Sequence, residues 1–552
     1  MKNFLADKGF SRKGAIGFCL LLFFFLLSVV SPSYGRIEKP RPDAGKIELR
    51  YADKVQYNQF KNPDMQIFTG NVAFYHNGLH LYCDSANFFQ TTNSFQAYGH
   101  VRMLQGDTLS LNSERLFYDG NSQIAQARHK VVLKHRNSVL YTDSLNYDRV
   151  YNVGYFFEGG KLVDEGNTLT SDWGQYNTSD KEALFNYHVQ LVRKDLTLTS
   201  DTMYYDTQTK VTHLLGPSNV VSGKSHIYTE DAYYNTMSKN VTLLNRSVVA
   251  NQDRQMVADS LIYDQETGIA HAYRNIIFND KSSKNVLTGD YCYHNDSTGY
   301  TIAYNNAEVR NYSQQDTLYL HADTFKIYTY NQKTDSVYRV IHGYYHARSF
   351  KDDMQSVADT LSYNSETAIL SLYGNPIVWS ENRQILGEEI HAFMNDSTID
   401  SIRVINQALM VEELDSLHYN QITGKEMRFF FDNGQLKENH VMGNVQTVYY
   451  AFDDDSIMIG MNYLETSLAK MYMADRQASK IWTREVNGTF YPLAFVSEEK
   501  SFLKNFAWFD YIRPLNKDDI FEWRGKKAGS ELKKTFRREV PLQHLDRLKQ
   551  LK

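Results

Sequence analysis

The sequence has little proline, little cysteine and no long apolar run outside its N-terminus. Nine prolines in 552 residues lie well below the average share of about 5%. This scarcity argues against a proline-rich linker or a long disordered spacer. The three cysteines show no metal-type spacing. Beyond Val30 no apolar run reaches the length of a membrane-spanning helix, which is about 20 residues.

Catalytic signatures are absent from the sequence as well. No nucleophile elbow, phosphate-binding loop or zinc motif occurs, and the 17 histidines are scattered. We therefore expect a protein that is not an enzyme and that has no cofactor and no metal site. Asp453-Asp454-Asp455 could ligate Ca²⁺, but a polar hairpin tip is the simpler interpretation.

The N-terminus has the layout of a secretory signal. A basic segment from Lys2 to Lys13 precedes an apolar run from Ala15 to Val30, and small residues follow at Ser33 and Gly35. This pattern predicts a signal peptide over residues 1–35, with cleavage before Arg36. The alternative is an uncleaved anchor, but the run is shorter than the roughly 20 residues that a spanning helix needs. We therefore expect an exported, soluble mature chain.

The charge of the mature chain disfavours nucleic acid as a partner. The whole chain has a formal net charge of -5, and residues 1–35 carry Lys2, Lys8, Arg12 and Lys13 against Asp7, a net of +3, so the mature chain has -8. Nucleic-acid binding relies on positive charge. The mature chain keeps Cys83 and Cys292, for which a disulfide is possible and two buried free thiols are the favoured interpretation.

What the sequence has in abundance is aromatic residues within a repeat. An acidic residue is followed by an apolar residue two positions later, an aromatic four later and Asp or Asn five later, as in Asp143–Asp148 and Asp259–Asp264. We count thirteen copies, and the intervals between them are 31, 30, 29, 29, 29, 29, 29, 31, 33, 36, 29 and 27 residues. A fixed period of this length indicates a repeat architecture. The copies begin at Asp53, Asp84, Glu114, Asp143, Asp172, Asp201, Glu230, Asp259, Asp290, Asp323, Asp359, Glu388 and Asp415.

The spacing within one copy is typical of β-strands. Positions two and four after the acid face the same side of a strand and hold Leu, Met, Val, Tyr or Phe, whereas polar residues stand between them. The closing Asp or Asn is typical of a turn. Each copy is therefore expected to supply two strands and two turns, with the acids at strand starts in a structural role. If each copy adds one strand to each of two facing sheets, thirteen copies span roughly 60 Å.

The inward positions of this pattern form an apolar ladder, and they are our candidate site residues. The ladder either packs as core or lines an interior that is open to a ligand. The candidates are Leu116, Tyr118, Leu145, Tyr147, Met203, Tyr205, Leu261, Tyr263, Leu361 and Tyr363.

The repeat unit resembles the OstA-like family, which includes the lipopolysaccharide transport protein LptA. The matching stretches are Gly70-Asn71-Val72 through Asp84 and Tyr98-Gly99-His100-Val101 through Leu111, and similar units continue to Tyr419. The resemblance implies an all-β, elongated β-jelly-roll that binds lipopolysaccharide in the periplasm and shields its acyl chains at the ladder. It also implies an inner-membrane transport complex and an outer-membrane β-barrel translocon as partners.

Two stacked sheets leave open edges at both ends, so end-to-end strand pairing with partners or with a second copy is expected. The longer intervals after Asp259 suggest two β regions, residues 36–289 and 290–495, followed by a C-terminal extension over 496–552. That extension is expected to be a solvated tail or a docking element with a short amphipathic helix at its end. The alternatives for the whole chain are a right-handed β-helix enzyme that acts on polysaccharides and a structural surface protein.

Overall fold

The computed structural model describes residues 45–527, apart from 61, 265, 314–315, 333, 335, 396–398, 433–434 and 475–476. The predicted signal peptide and the C-terminal amphipathic helix around Leu542–Leu551 lie outside the described residues. The described chain forms 38 antiparallel strands joined in one hydrogen-bonded sheet, which confirms the all-β prediction. A right-handed β-helix has parallel rungs, so the antiparallel pairing excludes that alternative for the described residues.

The strands follow one another in sequence order with few exceptions. Their bounds are β1 (Glu48–Tyr51), β2 (Lys54–Tyr57), β3 (Met65–His76), β4 (Leu79–Phe89), β5 (Ser94–Gln105), β6 (Leu109–Asp119), β7 (Ile124–His135), β8 (Ser138–Asp148), β9 (Val153–Phe156), β10 (Gly160–Asp164), β11 (Asn167–Ser171), β12 (Trp173–Asn177), β13 (Glu182–Arg193), β14 (Leu196–Asp206), β15 (Val211–Ser222), β16 (Ser225–Asn235), β17 (Val241–Leu244), β18 (Ser247–Ala250), β19 (Arg254–Ala258), β20 (Ser260–Asp264), β21 (Ile269–Asp280), β22 (Asn285–Asn295), β23 (Tyr300–Tyr304), β24 (Glu308–Asn311), β25 (Leu318–His321), β26 (Thr324–Tyr330), β27 (Tyr338–Lys351), β28 (Met354–Asn364), β29 (Ile369–Tyr373), β30 (Ile377–Ser380), β31 (Arg383–Leu386), β32 (Glu389–Met394), β33 (Ile399–Glu413), β34 (Tyr419–Asp432), β35 (Gln435–Phe452), β36 (Met458–Ala474), β37 (Gln477–Arg484) and β38 (Asn487–Pro492). Four 3₁₀ helices follow at Leu493–Phe495, Glu498–Lys500, Asp510–Ile512 and Asp519–Phe521.

Each long strand bends sharply at its middle. Phe68 and Phe74 belong to the same strand, β3, yet their ring centroids are only 5.9 Å apart, whereas six residues of straight strand cover roughly 20 Å. The bend falls at Gly70 and Asn71, which have φ values of +80° and +47°, and the register shifts there. The sheet is therefore folded along this line of bends into two facing leaves.

We name the leaves by the turns that border them. The first leaf ends at turns such as 90–93 and 120–123, and the second leaf ends at turns such as 77–78 and 106–108. Every long strand crosses the line of bends and therefore contributes one segment to each leaf. Since a copy contains two such strands, each copy adds two strands to each leaf. The prediction of one strand per copy in each sheet was wrong, because a single strand belongs to both leaves.

The recurring acids stabilise the bend. Asp84 lies in the middle of β4, and its Oδ2 is 2.8 Å from Nδ1 of His100 at the bend of the next strand. The same contact joins Asp172 to His188 at 2.7 Å. Asp84 lies at mid-strand, whereas Asp172 directly precedes β12 (Trp173–Asn177), where the pattern predicts a strand start. In both places the acid contacts a residue at the bend, which fits the expected structural role.

The turn prediction is confirmed where the pattern closes with Asp or Asn. Oδ1 of Asp148 accepts a hydrogen bond from the Val150 backbone N–H at 2.9 Å. Asp206 and Asn364 accept equivalent bonds from residues two positions later, at 2.7 and 2.9 Å. This geometry is the Asx turn that these residue types favour.

The space between the leaves holds two clusters of buried apolar residues. One cluster extends from Ile47 to Leu261, and the other extends from Ala258 to Ala469. We call these parts of the molecule the N-terminal half and the C-terminal half. The sheet continues across residue 290 through β22, and the division into two β regions at that residue stays a prediction.

A third apolar cluster lies on the outer face of the second leaf, where the C-terminal segment (residues 493–527) covers Ile377, Trp379 and Val411. Gln384 holds this segment by donating to the Ala507 carbonyl at 2.8 Å and accepting from the Phe509 N–H at 2.7 Å. Gln421 makes the same pair of bonds to Ser501 and Leu503. The described part of the extension is therefore packed against the sheet and is not a solvated tail.

Candidate functional site

One inward-facing row of side chains runs along the first leaf next to its turns, and we call it the rim row. Strand register links each member to the next across the whole sheet. From Phe95 to Ile402 the members are Phe95, Tyr118, Ala125, Tyr147, Gly154, Tyr176, Ala183, Tyr205, Thr212, Tyr234, Val241, Tyr263, Ala270, His294, Thr301, Ile327, Ile341, Tyr363, Leu370, Ala392 and Ile402.

In the N-terminal half, every rim-row residue from Phe95 to Val241 is buried. Tyrosine alternates there with a smaller residue, because the repeat places a tyrosine on every second strand. The hydroxyls of Tyr118, Tyr176 and Tyr205 reach the border of the second leaf, whereas that of Tyr147 contacts turns of its own leaf. Burial raises the pKa of the Tyr118 and Tyr147 hydroxyls, so both remain protonated and available as hydrogen-bond donors.

Polar contacts between the two leaf borders close this half, and we call them the polar seam. The hydroxyl of Tyr118 is 2.8 Å from Nδ1 of His76. Arg149 donates to that hydroxyl at 2.7 Å, to the Asn77 carbonyl at 3.0 Å and to Gln105 Oε1 at 3.0 Å. These contacts join residues that lie 31 to 72 positions apart in the chain.

The seam continues through a buried cluster at Asp164. Its carboxylate accepts hydrogen bonds from the Tyr205 hydroxyl at 2.7 Å, from Lys210 Nζ at 2.6 Å and from the Ser138 hydroxyl at 2.9 Å. The Asp164 side chain is 1% exposed. Burial, together with the adjacent carboxylate, raises the pKa of Tyr205. A buried charge of this kind is stabilised only when it is paired and hydrogen-bonded, and this one has both.

In the C-terminal half, the same row is partly exposed up to Leu370, and its last two members, Ala392 and Ile402, are buried again. The eight consecutive members from Tyr263 to Leu370 are all partly accessible, and we call this stretch the open window. Five of them are tyrosine or large and aliphatic: Tyr263, Ile327, Ile341, Tyr363 and Leu370. Across it, Arg339 Nη2 and Asp280 Oδ2 are 3.5 Å apart, at the limit of a hydrogen bond. The buried stretch of the row from Phe95 to Val241 therefore coincides with the polar seam.

A cavity of about 50 Å³ lies between the leaves at the distal part of the open window. Its walls are apolar except for Ser349 and Ser356, whose hydroxyls are 2.6 Å apart and bond to each other. The remaining walls are Leu318, Leu320, Ala347, Met354, Leu361, Leu370, Leu372, Val378, Ile390, Ala392, Met394 and Ile402. A water molecule takes up about 30 Å³ of liquid, so a longer apolar ligand would require the leaves to separate.

The ten candidate ladder residues all face the space between the leaves, but they fall into different surroundings. Eight are buried: Leu116, Tyr118, Leu145, Tyr147, Met203, Tyr205, Leu261 and Leu361. Leu361 also lines the cavity, whereas Tyr263 and Tyr363 are half-exposed members of the open window. Ligand contact by these ten residues stays a prediction.

Sequence reasoning missed Ile327, Ile341 and Leu370, which supply much of the apolar surface of the window. Ile341 and Leu370 lie on strands between the motif strands, and Ile327 occupies the motif position where tyrosine is expected. Their apolar character on alternating strand positions was the available signal. Arg149 and Lys210 were also missed, since their partners are distant in the sequence.

Other functional groups are sparse in the described part of the chain. Among the described residues, no three His, Cys, Asp or Glu side chains come together as a metal site would require. Cys83 and Cys292 are free and buried, and burial raises the pKa of both thiols to about 12. None of the described helices has the length and apolar character needed to cross a membrane.

Comparison with known proteins confirms the predicted resemblance over two ranges. Residues 44–201 match the family model described as OstA-like protein, and residues 312–398 match the model described as LptA/(LptD N-terminal domain) LPS transport protein. No curated protein matches the chain. The solved structure of LptH, described as the LptA-homologous periplasmic component of the lipopolysaccharide transport device of Pseudomonas aeruginosa, aligns with 25% of this chain and 81% of its own at 14% identity and a TM-score of 0.14. At that TM-score we draw nothing from the alignment.

Proposed function

We propose that this protein binds lipopolysaccharide in the periplasm and shields its acyl chains between the two leaves during transport to the outer membrane. One observation carries the proposal. The range that matches the LPS transport model, residues 312–398, contains most of the residues that line the apolar cavity and the distal half of the open window. Sequence similarity to lipid transport and an accessible apolar interior therefore coincide in the same strands.

The chemistry of the interior suits an acyl chain. Apolar surface that leaves water contributes about 25 cal/mol per Å², and the half-exposed Ile327, Ile341 and Leu370 offer such surface without charge. An acyl chain needs no hydrogen-bond partner, and the two serines in the cavity already satisfy each other. The sugar and phosphate groups of the lipid would remain outside, in solvent.

We propose in addition that the two ends of the sheet bridge an inner-membrane transport complex to an outer-membrane β-barrel translocon. At the N-terminal end, every residue of β1 and β2 is exposed, and at the C-terminal end, β38 is nearly as exposed. Such edges carry unpaired backbone groups that accept a strand from another chain. A second copy of this protein would fit the same edges.

Lipid binding by the purified protein tests this function. Replacing Ile341 and Leu370 together by Asp places two charges at half-exposed positions, where folding tolerates them better than in the core. Since each large apolar side chain contributes about 1.5 to 3 kcal/mol when buried, we expect affinity for fluorescent lipopolysaccharide to fall roughly 100-fold.

Ile262→Asp is the matched control, because Ile262 points outward from the same leaf and is 42% exposed. Its affinity for lipopolysaccharide should stay unchanged. In cells, depletion of the protein should leave lipopolysaccharide at the inner membrane. Normal surface display after depletion, or failure of the wild-type protein to bind the lipid, contradicts the proposed function.

A further inference from the structure

We propose that acyl chains enter and occupy only the C-terminal half, through the open window from Tyr263 to Leu370, and that the polar seam closes the N-terminal half to them. This inference rests on the proposed function and adds the position of the ligand. The repeat alone predicts an interior that is equally accessible along its whole length, whereas the inference assigns the ligand to one half of it.

The first argument compares the exposure of equivalent side chains along the rim row. The rim row is a single line of residues in continuous register, so its members differ in surroundings and not in orientation. Those up to Val241 are buried, and the next eight are half-exposed. Because the eight lie on successive strands about 4.8 Å apart, the window is about 34 Å long.

The second argument is the chemistry of closure. In the N-terminal half, three tyrosines end on partners in the opposite leaf: Tyr118 on His76 at 2.8 Å, Tyr176 on His135 at 3.1 Å and Tyr205 on Asp164 at 2.7 Å. Farther along the row, the tyrosine position is taken by His294 and then by Ile327. His294 bonds to Thr301 and Asp296, which belong to its own leaf. At these two positions the row lacks a tyrosine hydroxyl that could join the leaves, and the hydroxyl of Tyr263 donates to Asp296 of its own leaf.

The third argument identifies the occupant. The cavity lies directly behind Leu370 and Leu361, so the window and the cavity form one apolar surface. A peptide inserted there would bring backbone amides into an interior that offers few free partners, at a cost of several kcal/mol in general. An acyl chain brings none, which makes it the occupant that the lining favours.

Photo-crosslinking in living cells tests the position. A photoreactive amino acid is placed at Ile341 in the window, at Tyr147 in the closed half and at Tyr141, which points outward and is 47% exposed. We expect lipopolysaccharide adducts at Ile341 at least ten times more abundant than at Tyr147, with Tyr147 no higher than the outward control.

The outcomes separate the two proposals. Adducts at Tyr147 that equal those at Ile341 overturn the confinement to the C-terminal half and leave the transport function in place. If none of the positions yields lipid adducts, the proposed function itself fails, and the inference fails with it.

A second measurement avoids any change at the fully buried Tyr147. Amide hydrogen exchange of the wild-type protein is recorded with and without lipopolysaccharide. We expect the lipid to slow exchange at least fivefold in β20 to β29 and to leave β6 to β17 unchanged. Equal protection of both halves overturns the inference, whereas absence of protection throughout counts against lipid binding altogether.

Discussion

The buried pair of Lys210 and Asp164 offers the sharpest test of the polar seam. Lys210 Nζ lies 2.6 Å from Asp164 Oδ2, and the two side chains are 11% and 1% exposed. Lys210→Met removes the cation and leaves the carboxylate in the interior. Breaking a buried pair in this way costs about 3 to 5 kcal/mol. Since Tyr205 and Ser138 still donate to Asp164, we expect the lower end, about 3 kcal/mol.

Hydrogen exchange of β10, β11 and β14 measures this loss, because these strands surround the pair. A loss of about 3 kcal/mol raises the population of the opened state roughly 100-fold, and exchange should accelerate by that factor. Lys239→Met is the matched control. Lys239 forms an ion pair with Asp195 at 2.7 Å, but the two side chains are 42% and 50% exposed, and such surface pairs contribute less than about 1 kcal/mol.

The double variant Lys210→Met with Asp164→Asn removes both charges, and it should recover most of the lost protection, since replacing a whole buried pair is often close to neutral. The reasoning is refuted if Lys210→Met accelerates exchange no more than Lys239→Met does. That result would show that the paired charge does not hold the two leaves together.

Three further predictions address the bend, the C-terminal segment and a buried amide in β35. Gly99→Ala places a methyl group against the Asp84 carboxylate, whereas Gly106→Ala, also at positive φ, meets nothing within 4 Å. We expect chemical denaturation to show Gly99→Ala about 1 kcal/mol less stable than that control. Equal stabilities would contradict the role of Asp84. Burial lowers the pKa of His321, which contacts Phe521, to about 4. Between that pH and about 6.5 the unfolded state binds more protons than the folded state, so the stability of this contact should fall by up to about 3 kcal/mol as pH decreases. Hydrogen exchange of residues 519–521 should report this loss, and His321→Phe should abolish the pH dependence. Asn439 is 0% exposed, and neither its amide oxygen nor its amide nitrogen has a hydrogen-bond partner. Asn439→Leu should therefore raise the free energy of unfolding by about 1 to 3 kcal/mol. A loss of stability would show that the amide is hydrogen-bonded in the folded protein.

Much of the fold could be predicted because the repeat acts locally. Alternation of apolar and polar residues identified the strands, and Asp148 or Asn364 at the end of a copy identified the turns. These signals arise within six residues, where the period of a strand and the chemistry of a turn are decided. The inward orientation of Leu145 and Tyr147 followed from the same alternation.

The bend in each strand was not predicted, although its residues were visible in the sequence. Gly99 and His100 belong to a stretch that resembles the OstA-like family, but their positive φ values of +74° and +41° are a property of the folded backbone. The position of Asp84 in the middle of a strand was missed for the same reason. Only a bent strand brings Asp84 at mid-strand to the side chain of His100.

The sequence by itself determined that this protein is a β repeat with an apolar inner face, because strand periodicity and turn chemistry depend on neighbouring residues. Tertiary structure alone decided which part of that face is accessible. The contacts of the polar seam join residues such as Arg149 and Asn77, 72 positions apart, and the C-terminal segment reaches Gln384 from 125 positions away. No local pattern specifies such pairs, since they form only when the folded sheet brings its two leaves and its C-terminal segment together.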